Sequence, residues 1–295
     1  MLNLLIKSIF VSLTSQHLVM KNKLLFLILA TILGNQHYKT HAQGDLLITP
    51  NRVVFEGRKI KEILNLLNTG SKTTTFSVSF VQRRMNEDGS FSVITEPDPG
   101  QMFADPYLRI YPRKVTLLPG EAQVVMLQRR MRTDMESGEY RSHLYFRSEK
   151  DYSALGDEKQ DTIKAFSVKL VPIFGISIPI IIRTGDLSNT TTITDLKIIR
   201  EEENVLNFTV VRNGNISVYG DFTVEYLPKK GESYLIGVKK GVAVYTNINK
   251  RYVTIKLNKS SDINLKQGIL KVKYISRENA EEPQVFAAKE LDLGI

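Results

Sequence analysis

The chain of 295 residues contains no cysteine and no tryptophan. Without cysteine it can form no disulfide bond, no cysteine–zinc site and no thiol nucleophile. Only one of its four histidines, His143, lies beyond the first 42 residues. A serine–histidine–aspartate triad would therefore have to be built on His143, and a metal site with several histidine ligands is excluded. These absences remove most familiar enzyme chemistry, and we expect no metal and no cofactor.

The charge of the chain is basic but not concentrated. Lys plus Arg number 40 and Asp plus Glu number 31, which gives a net charge of +9. The first 42 residues hold four lysines and no acid, so the remainder has 36 basic and 31 acidic residues, a surplus of five. Such a surplus does not indicate nucleic acid as a partner without a clustered basic face. No glycine-rich phosphate loop joins a strand to a helix, and we expect no nucleotide either.

A catalytic function based on paired carboxylates is a remaining alternative. Glu96 and Asp98 flank a proline in a predicted loop, but nothing in the sequence places them in a pocket. Other acidic runs are typical of solvated surfaces. We therefore expect no catalytic residue and no small-molecule substrate.

The N-terminal segment has the pattern of a secretory signal. Met20 and two nearby lysines precede an uncharged run, Leu24 to Leu33, and a polar stretch follows that ends at Ala42. A basic start, a short apolar run and a small residue before the cut are typical of a signal peptide. The run is too short to span a membrane. We predict that residues 1–42 are removed on export, although a buried N-terminal helix is the alternative, and that the mature protein is soluble.

Beyond residue 43, apolar and polar residues alternate with a period of two. Five segments show this pattern: Phe76–Phe80, Leu206–Val210, Phe222–Tyr226, Val253–Leu257 and Leu270–Tyr274. Such alternation indicates β-strands with one face on a core and the other in water. Turn signals separate the runs, and no helical stretch of useful length is found. The sequence therefore predicts an all-β protein built as sandwiches or barrels.

A domain boundary is predicted near Arg183–Asp186, where a long apolar strand gives way to a polar stretch. It divides the mature chain into residues 43–184 and residues 185–295. Each part has a length typical of an immunoglobulin-like sandwich. We predict two immunoglobulin-like β-sandwich domains in series.

Three segments of the first half contain distinctive motifs. They are Ile48–Gly57, which contains an arginine shortly before Val-Phe-Glu-Gly; Ile110–Leu127, which contains Leu-Pro-Gly and a following Gln-x-Val; and Gly138–Arg147, which ends in Leu-Tyr-Phe-Arg. Together and in this order, they resemble the periplasmic chaperones of the chaperone–usher pilus pathway. The resemblance implies that the two domains meet at roughly a right angle. It also implies that the cleft between them is the binding site.

Arg52 is the candidate anchor for a ligand. The resemblance implies that this arginine binds the C-terminal carboxylate of a pilin subunit, and a guanidinium suits a carboxylate because it donates two parallel hydrogen bonds. The alternative role is a surface cation. The family also has a lysine beside the arginine, and its position here falls near Pro179, where the sequence has none. Lys169 and Arg183 are the nearest cations.

Residues 163–182 form a long apolar run that contains two prolines. A strand of this length at a sheet edge exposes unpaired backbone groups unless a partner covers it. One interpretation is a central strand of the core. The other is a donor strand that completes the sandwich of a pilin subunit, with Leu170, Phe174, Ile176 and Ile178 as the donated side chains. Such an edge also permits self-association.

The leading hypothesis is therefore a periplasmic chaperone, with no catalytic activity, that caps pilin-like subunits before they assemble into a surface fibre. The resemblance implies an outer-membrane usher-like protein as a second partner. A structural or adhesive immunoglobulin-like protein of the envelope is the alternative.

Overall fold

The computed structural model describes residues 46–130, 132, 134–149, 173–200, 202–258, 265–277 and 283–294. The predicted signal segment, residues 1–42, lies outside the described residues. All described residues belong to one compact unit, residues 44–295. Within the described ranges, no helix is both long and apolar enough to cross a membrane.

The first sandwich contains ten strands and one short 3₁₀ helix. The strands are β1 (Leu46–Thr49), β2 (Val53–Phe55), β3 (Lys61–Asn68), β4 (Thr74–Met85), β5 (Phe91–Ile94), β6 (Leu108–Tyr111), β7 (Lys114–Leu117), β8 (Ala122–Arg129), β9 (Gly138–Ser148) and β10 (Gly175–Thr184), and the 3₁₀ helix is Asp105–Tyr107. One sheet has the order β1-β3-β8-β6. The other has the order β2-β10-β9-β4-β5, with β7 also paired to β4.

The second sandwich contains seven strands. They are β11 (Asn189–Arg200), β12 (Asn204–Gly214), β13 (Val218–Leu227), β14 (Tyr234–Val244), β15 (Lys250–Lys256), β16 (Ile269–Ser276) and β17 (Val285–Asp292). Its sheets have the orders β11-β12-β15 and β14-β13-β16-β17. Seven strands divided between two antiparallel sheets are characteristic of immunoglobulin-like sandwiches. The predicted all-β fold with two β-sandwiches in series is confirmed.

Each sandwich has its own apolar core, and the alternating segments supply it. In β13, every second residue from Val218 to Tyr226 is buried. The second core includes Phe208, Phe222 and Tyr274, and the rings of Phe222 and Tyr274 stack with centroids 4.2 Å apart. The five predicted segments fall in β4, β12, β13, β15 and β16, with Leu257 one residue past the end of β15. The period of two thus predicted both the strands and the faces that form the two cores.

Strand β10 is shorter than the predicted run of residues 163–182, of which residues 163–172 lie outside the described part. It pairs along its whole length with β9, antiparallel, but with β2 only at Ile180–Ile182, in parallel. The described part of this run therefore divides into a central portion and an edge portion. Residues Ile180–Ile182 are central in their sheet, whereas Gly175–Pro179 pair on one side only among the described strands.

Candidate binding site

Strand β9 is buried on both faces over its first seven residues, unlike the other strands of its sandwich. Tyr140 and Leu144 belong to the core of the first sandwich. The residues that alternate with them, Glu139, Arg141 and His143, face the second sandwich and are also buried. The polar side of this strand therefore forms the interface between the two sandwiches.

Glu139 is the centre of a buried ion network at this interface. Its carboxylate accepts hydrogen bonds from Arg141 Nη2, from Arg183 Nε at 3.2 Å, and from the backbone N–H and hydroxyl of Ser217 at 3.1 and 2.7 Å. Arg141 Nη2 also donates to the Ser217 hydroxyl at 2.6 Å. Burial alone would raise the pKa of Glu139, but the two arginines and Ser217 outweigh it and lower that pKa to about 2. The network therefore joins the first sandwich to Ser217, the residue before β13 of the second sandwich, through an ionised carboxylate.

His143 lies against Tyr245 of the second sandwich, with its Nε2 3.1 Å from the tyrosine hydroxyl oxygen. The guanidinium of Arg141 lies 3.6 Å from the centroid of the same tyrosine ring. Burial, followed by the charges of Arg141, Arg83 and Arg52, lowers the pKa of His143 to about 3. Its Nδ1 has no hydrogen-bond partner among the described residues. The histidine is thus neutral at pH 7 and is not part of a serine–histidine–aspartate triad.

A cavity of about 210 Å³ lies next to this histidine–tyrosine pair, between the sandwiches. Its lining includes Arg52, Phe91, Pro179, Tyr219, Tyr245 and Arg251. Two of these residues are cations, three are aromatic, and no acidic residue lines the cavity within the described part of the chain. A site with this lining suits an anionic group attached to an apolar one.

Arg52, the predicted anchor, lies in this cavity. It directly precedes β2, and its guanidinium lies 4.5 Å from the centroid of the Tyr219 ring. Pro179, near which the family's lysine was placed, lines the same cavity. Of the nearest cations, Arg183 binds Glu139 and so does not take the place of that lysine. Lys169 lies outside the described residues.

The four predicted donor residues have different environments. Phe174 is 51% exposed and Ile173 beside it is 40% exposed. Ile176 packs partly against the core, and Leu170 lies outside the described residues. Ile178 is only 3% exposed and belongs to the core, and its role as a donated side chain stays a prediction. Ile178, Ile180 and Ile182 share the face of β10 that packs in the core of the first sandwich.

Four further side chains of the interface were not predicted as site residues from the sequence. Tyr219 and Arg251 belong to the second sandwich, where the strand pattern carries no signal for a site. Glu139 and Arg141 alternate with apolar residues, which is also the pattern of a solvated strand face. Of the carboxylates considered for catalysis, Asp98 forms an ion pair with Arg84. The described residues contain no group of three or more side chains suited to binding a metal ion.

No family model matches the chain, and no curated protein matches it in sequence. The chain is similar in structure to solved chaperones. The YadV chaperone matches with a TM-score of 0.44 and 12% identity, over 85% of this chain and all of that chain. The CupB2 chaperone of Pseudomonas aeruginosa matches with a TM-score of 0.41 and 13% identity, over 84% of this chain and all of that one.

A third similar structure is a chaperone bound to a subunit. It is the CsuC–CsuE pre-assembly complex from the archaic chaperone–usher Csu pili of Acinetobacter baumannii. The match has a TM-score of 0.43 and 10% identity, and it covers 83% of this chain and 99% of that one.

Proposed function

We propose that this protein is a periplasmic chaperone that binds and caps pilus subunits before they assemble into a surface fibre. Residues 1–42 direct its export, residues 43–184 form the domain that donates a strand, and residues 185–295 form the second domain. β10 offers its uncovered edge to the incomplete sandwich of a subunit. Arg52 binds the subunit's C-terminal carboxylate. The chaperone has no catalytic role, and an usher-like protein receives the complex.

The observation that carries the proposal is that the edge of β10 not covered by any described strand leads directly to the cationic cavity. β2 covers β10 only from Ile180 onward, where Val53 pairs with Ile180. Arg52 is the residue before Val53. Pro179, the last residue before the covered part of β10, lines the cavity together with Arg52. A strand added along Gly175–Pro179 would therefore continue the line of β2 and end at Arg52.

The charge of the cavity fixes the direction of such a strand. The C-terminus is the end of a peptide that carries a negative charge, so a cavity with two arginines favours it over the positive N-terminus. Because β10 runs from Gly175 toward the cavity, a strand whose C-terminus lies in the cavity is parallel to β10. The backbone of β10 then supplies affinity, and the exposed side chains at its start supply apolar contacts.

Phe174 is the exposed side chain best placed to contribute these contacts. It directly precedes β10, and its backbone is fixed to β9, because its carbonyl accepts a hydrogen bond from the N–H of Ser148 at 2.9 Å. Burial of such a side chain in a partner contributes about 1.5–3 kcal/mol. A carboxylate at this position would be left without a partner in an apolar groove.

The test is co-expression with a pilin-like subunit of the same organism, followed by recovery of a soluble complex by size-exclusion chromatography. The wild-type protein should recover a subunit that is insoluble alone. Phe174→Glu should leave the melting temperature unchanged and reduce the recovered complex at least tenfold. Leu235→Glu, which adds the same charge at a 58% exposed position of the second sandwich, is the matched control and should recover the complex normally.

Two outcomes would contradict the proposal. Failure of the wild-type protein to recover any subunit would favour a structural or adhesive envelope protein. Normal recovery by Phe174→Glu would show that the start of β10 does not contact the subunit. A melting temperature lowered by Phe174→Glu would instead place this side chain in the core.

A further inference from the structure

The cavity at the interface has two guanidinium groups that come from different sandwiches. Arg52 precedes β2 of the first sandwich, and Arg251 is the second residue of β15 in the second. The acid closest in sequence to the lining is Asp88, whose carboxylate accepts hydrogen bonds from the backbone N–H and hydroxyl of Ser90. The cavity therefore holds more positive than negative charge, which favours an anionic ligand.

The position of Arg251 is defined by the first sandwich as well as by its own. Its Nη1 donates to the carbonyl oxygen of Ala243 and lies 3.9 Å from the sulfur of Met85. Its Nη2 lies against Gly89 in the turn between β4 and β5, where a Cβ would come within 2.2 Å. Gly89 therefore leaves the space that the guanidinium occupies.

The described part of the protein does not use all the hydrogen-bond donors of Arg251. A guanidinium has five N–H donors, and the Nε of Arg251 is buried without a hydrogen-bond partner in the described part of the chain. Burial lowers the pKa of Arg251, and the nearby Tyr274, Tyr245 and Asp88 offset this only in part. A carboxylate bound beside it would provide the missing acceptor.

Three further arginines near the interface have acceptors within the protein. Arg141 and Arg183 bind Glu139. Arg212 donates to the carbonyl oxygens of Gly214 and Ile216 at 2.7 and 2.9 Å. Pro179, which lies where the family resemblance places a lysine, has no donor to offer. Among the described residues that line this cavity, Arg251 is thus the only cation besides Arg52.

We propose that Arg251 is the second cation of a carboxylate-binding site and that it acts together with Arg52. This inference rests on the proposed function and specifies its ligand as a peptide C-terminus. Phe91, Tyr219 and Tyr245 make the remaining surface of the site aromatic, so the last residue of that peptide is apolar. Because the two arginines belong to different sandwiches, one carboxylate bridges both.

The direct test is titration of the exported protein with N-acetyl-phenylalanine, followed by ¹⁵N NMR of the arginine Nε–H groups. The carboxylate should shift the signals of both Arg52 and Arg251, whereas N-acetyl-phenylalanine amide at the same concentration should shift neither. A response of Arg52 alone would overturn the role of Arg251. Equal responses to the acid and the amide, or a response of neither arginine to the acid, would show that the cavity does not recognise a carboxylate.

The subunit assay tests the same residue in the complex. Arg251→Gln should reduce the recovered complex at least tenfold, and Arg251→Lys should restore part of it. Lys250→Gln removes the same charge at the adjacent exposed position and should have no effect. Melting temperatures establish that each variant is folded. Normal recovery by Arg251→Gln, with recovery lost in Phe174→Glu, would refute this inference and leave the proposed function intact.

Discussion

Two pairs of arginines lie at the interface between the sandwiches, and they differ in their counter-ions. Arg141 and Arg183 bind the carboxylate of Glu139, which is fully buried. Arg52 and Arg251 line a cavity with aromatic neighbours and without an acid among its described lining residues. The first pair is neutralised by a buried carboxylate, whereas the second pair lines a cavity to which the described part of the chain contributes no acid. This difference indicates a structural role for the Glu139 network and a binding role for the cavity.

The largest expected effect comes from breaking the Glu139 network. Glu139→Gln keeps the shape of the side chain but removes the buried carboxylate that binds both Arg141 and Arg183. Removing one partner of a buried ion pair costs about 3–5 kcal/mol. We expect a loss of stability of this size in urea denaturation at pH 7.

The matched control is Glu203→Gln. Glu203 pairs with Lys256 at 2.6 Å, but its side chain is 64% exposed. Exposed ion pairs contribute at most about 1 kcal/mol. If Glu139→Gln cost no more than this control, the structural role of the network would be refuted.

The second-largest expected effect is a loss of stability of the wild-type protein when the pH is lowered from 6.5 to 4.5, caused by His143. The unfolded chain binds a proton to this histidine below about pH 6.5, whereas the folded protein does so only near its lowered pKa of about 3. Stability therefore falls as the pH is lowered through this range, by up to about 1.4 kcal/mol per pH unit. Over these two pH units the loss is about 2–3 kcal/mol.

Denaturation midpoints measured across this pH range would check the effect of His143. In His143→Gln, which keeps an amide near the Tyr245 hydroxyl, the slope between pH 6.5 and 4.5 should disappear. Protonation of Glu139 also lowers stability as the pH falls, but at lower pH values, because folding lowers its pKa from 4.5 to about 2. Its stabilisation is complete above pH 4.5 and is lost as the pH falls toward 2. A slope unchanged by His143→Gln would contradict the buried, neutral histidine.

The fold could be predicted from the sequence because the alternation of apolar and polar residues follows their burial. The residues of the site could be predicted only in part. Phe222 and Val224 were predicted on the inner face of a strand and are core residues. The same rule would place Glu139 and Arg141 in water, but the second sandwich covers them, and a periodicity cannot reveal what covers the polar face. Ile178 was predicted as a donated side chain because an apolar residue on a core face and one on a binding face look alike in sequence.

Arg52 was found from its sequence context, whereas Arg251 was not. The segment around Arg52 resembles the opening strand of a known family, and the structure places this arginine in the cavity. Arg251 reaches the same cavity from a strand about 200 residues later in the chain, through the packing of the two sandwiches. A contact of this range depends on tertiary structure, which no local pattern encodes.

The smallest effect on stability is expected for the substitution of Arg52, which separates a binding arginine from the structural arginines of the Glu139 network. Arg52→Ala removes a cation–π contact with Tyr219, which contributes about 0.5–1 kcal/mol. It also removes a positive charge that lowers the pKa of His143, so this pKa should rise and the pH-dependent loss of stability should become smaller. At pH 7 we expect a change in stability within about 1 kcal/mol, measured by urea denaturation, together with loss of the subunit complex. A loss of stability as large as that of Glu139→Gln would show that Arg52 is structural and that the two pairs of arginines do not differ in role.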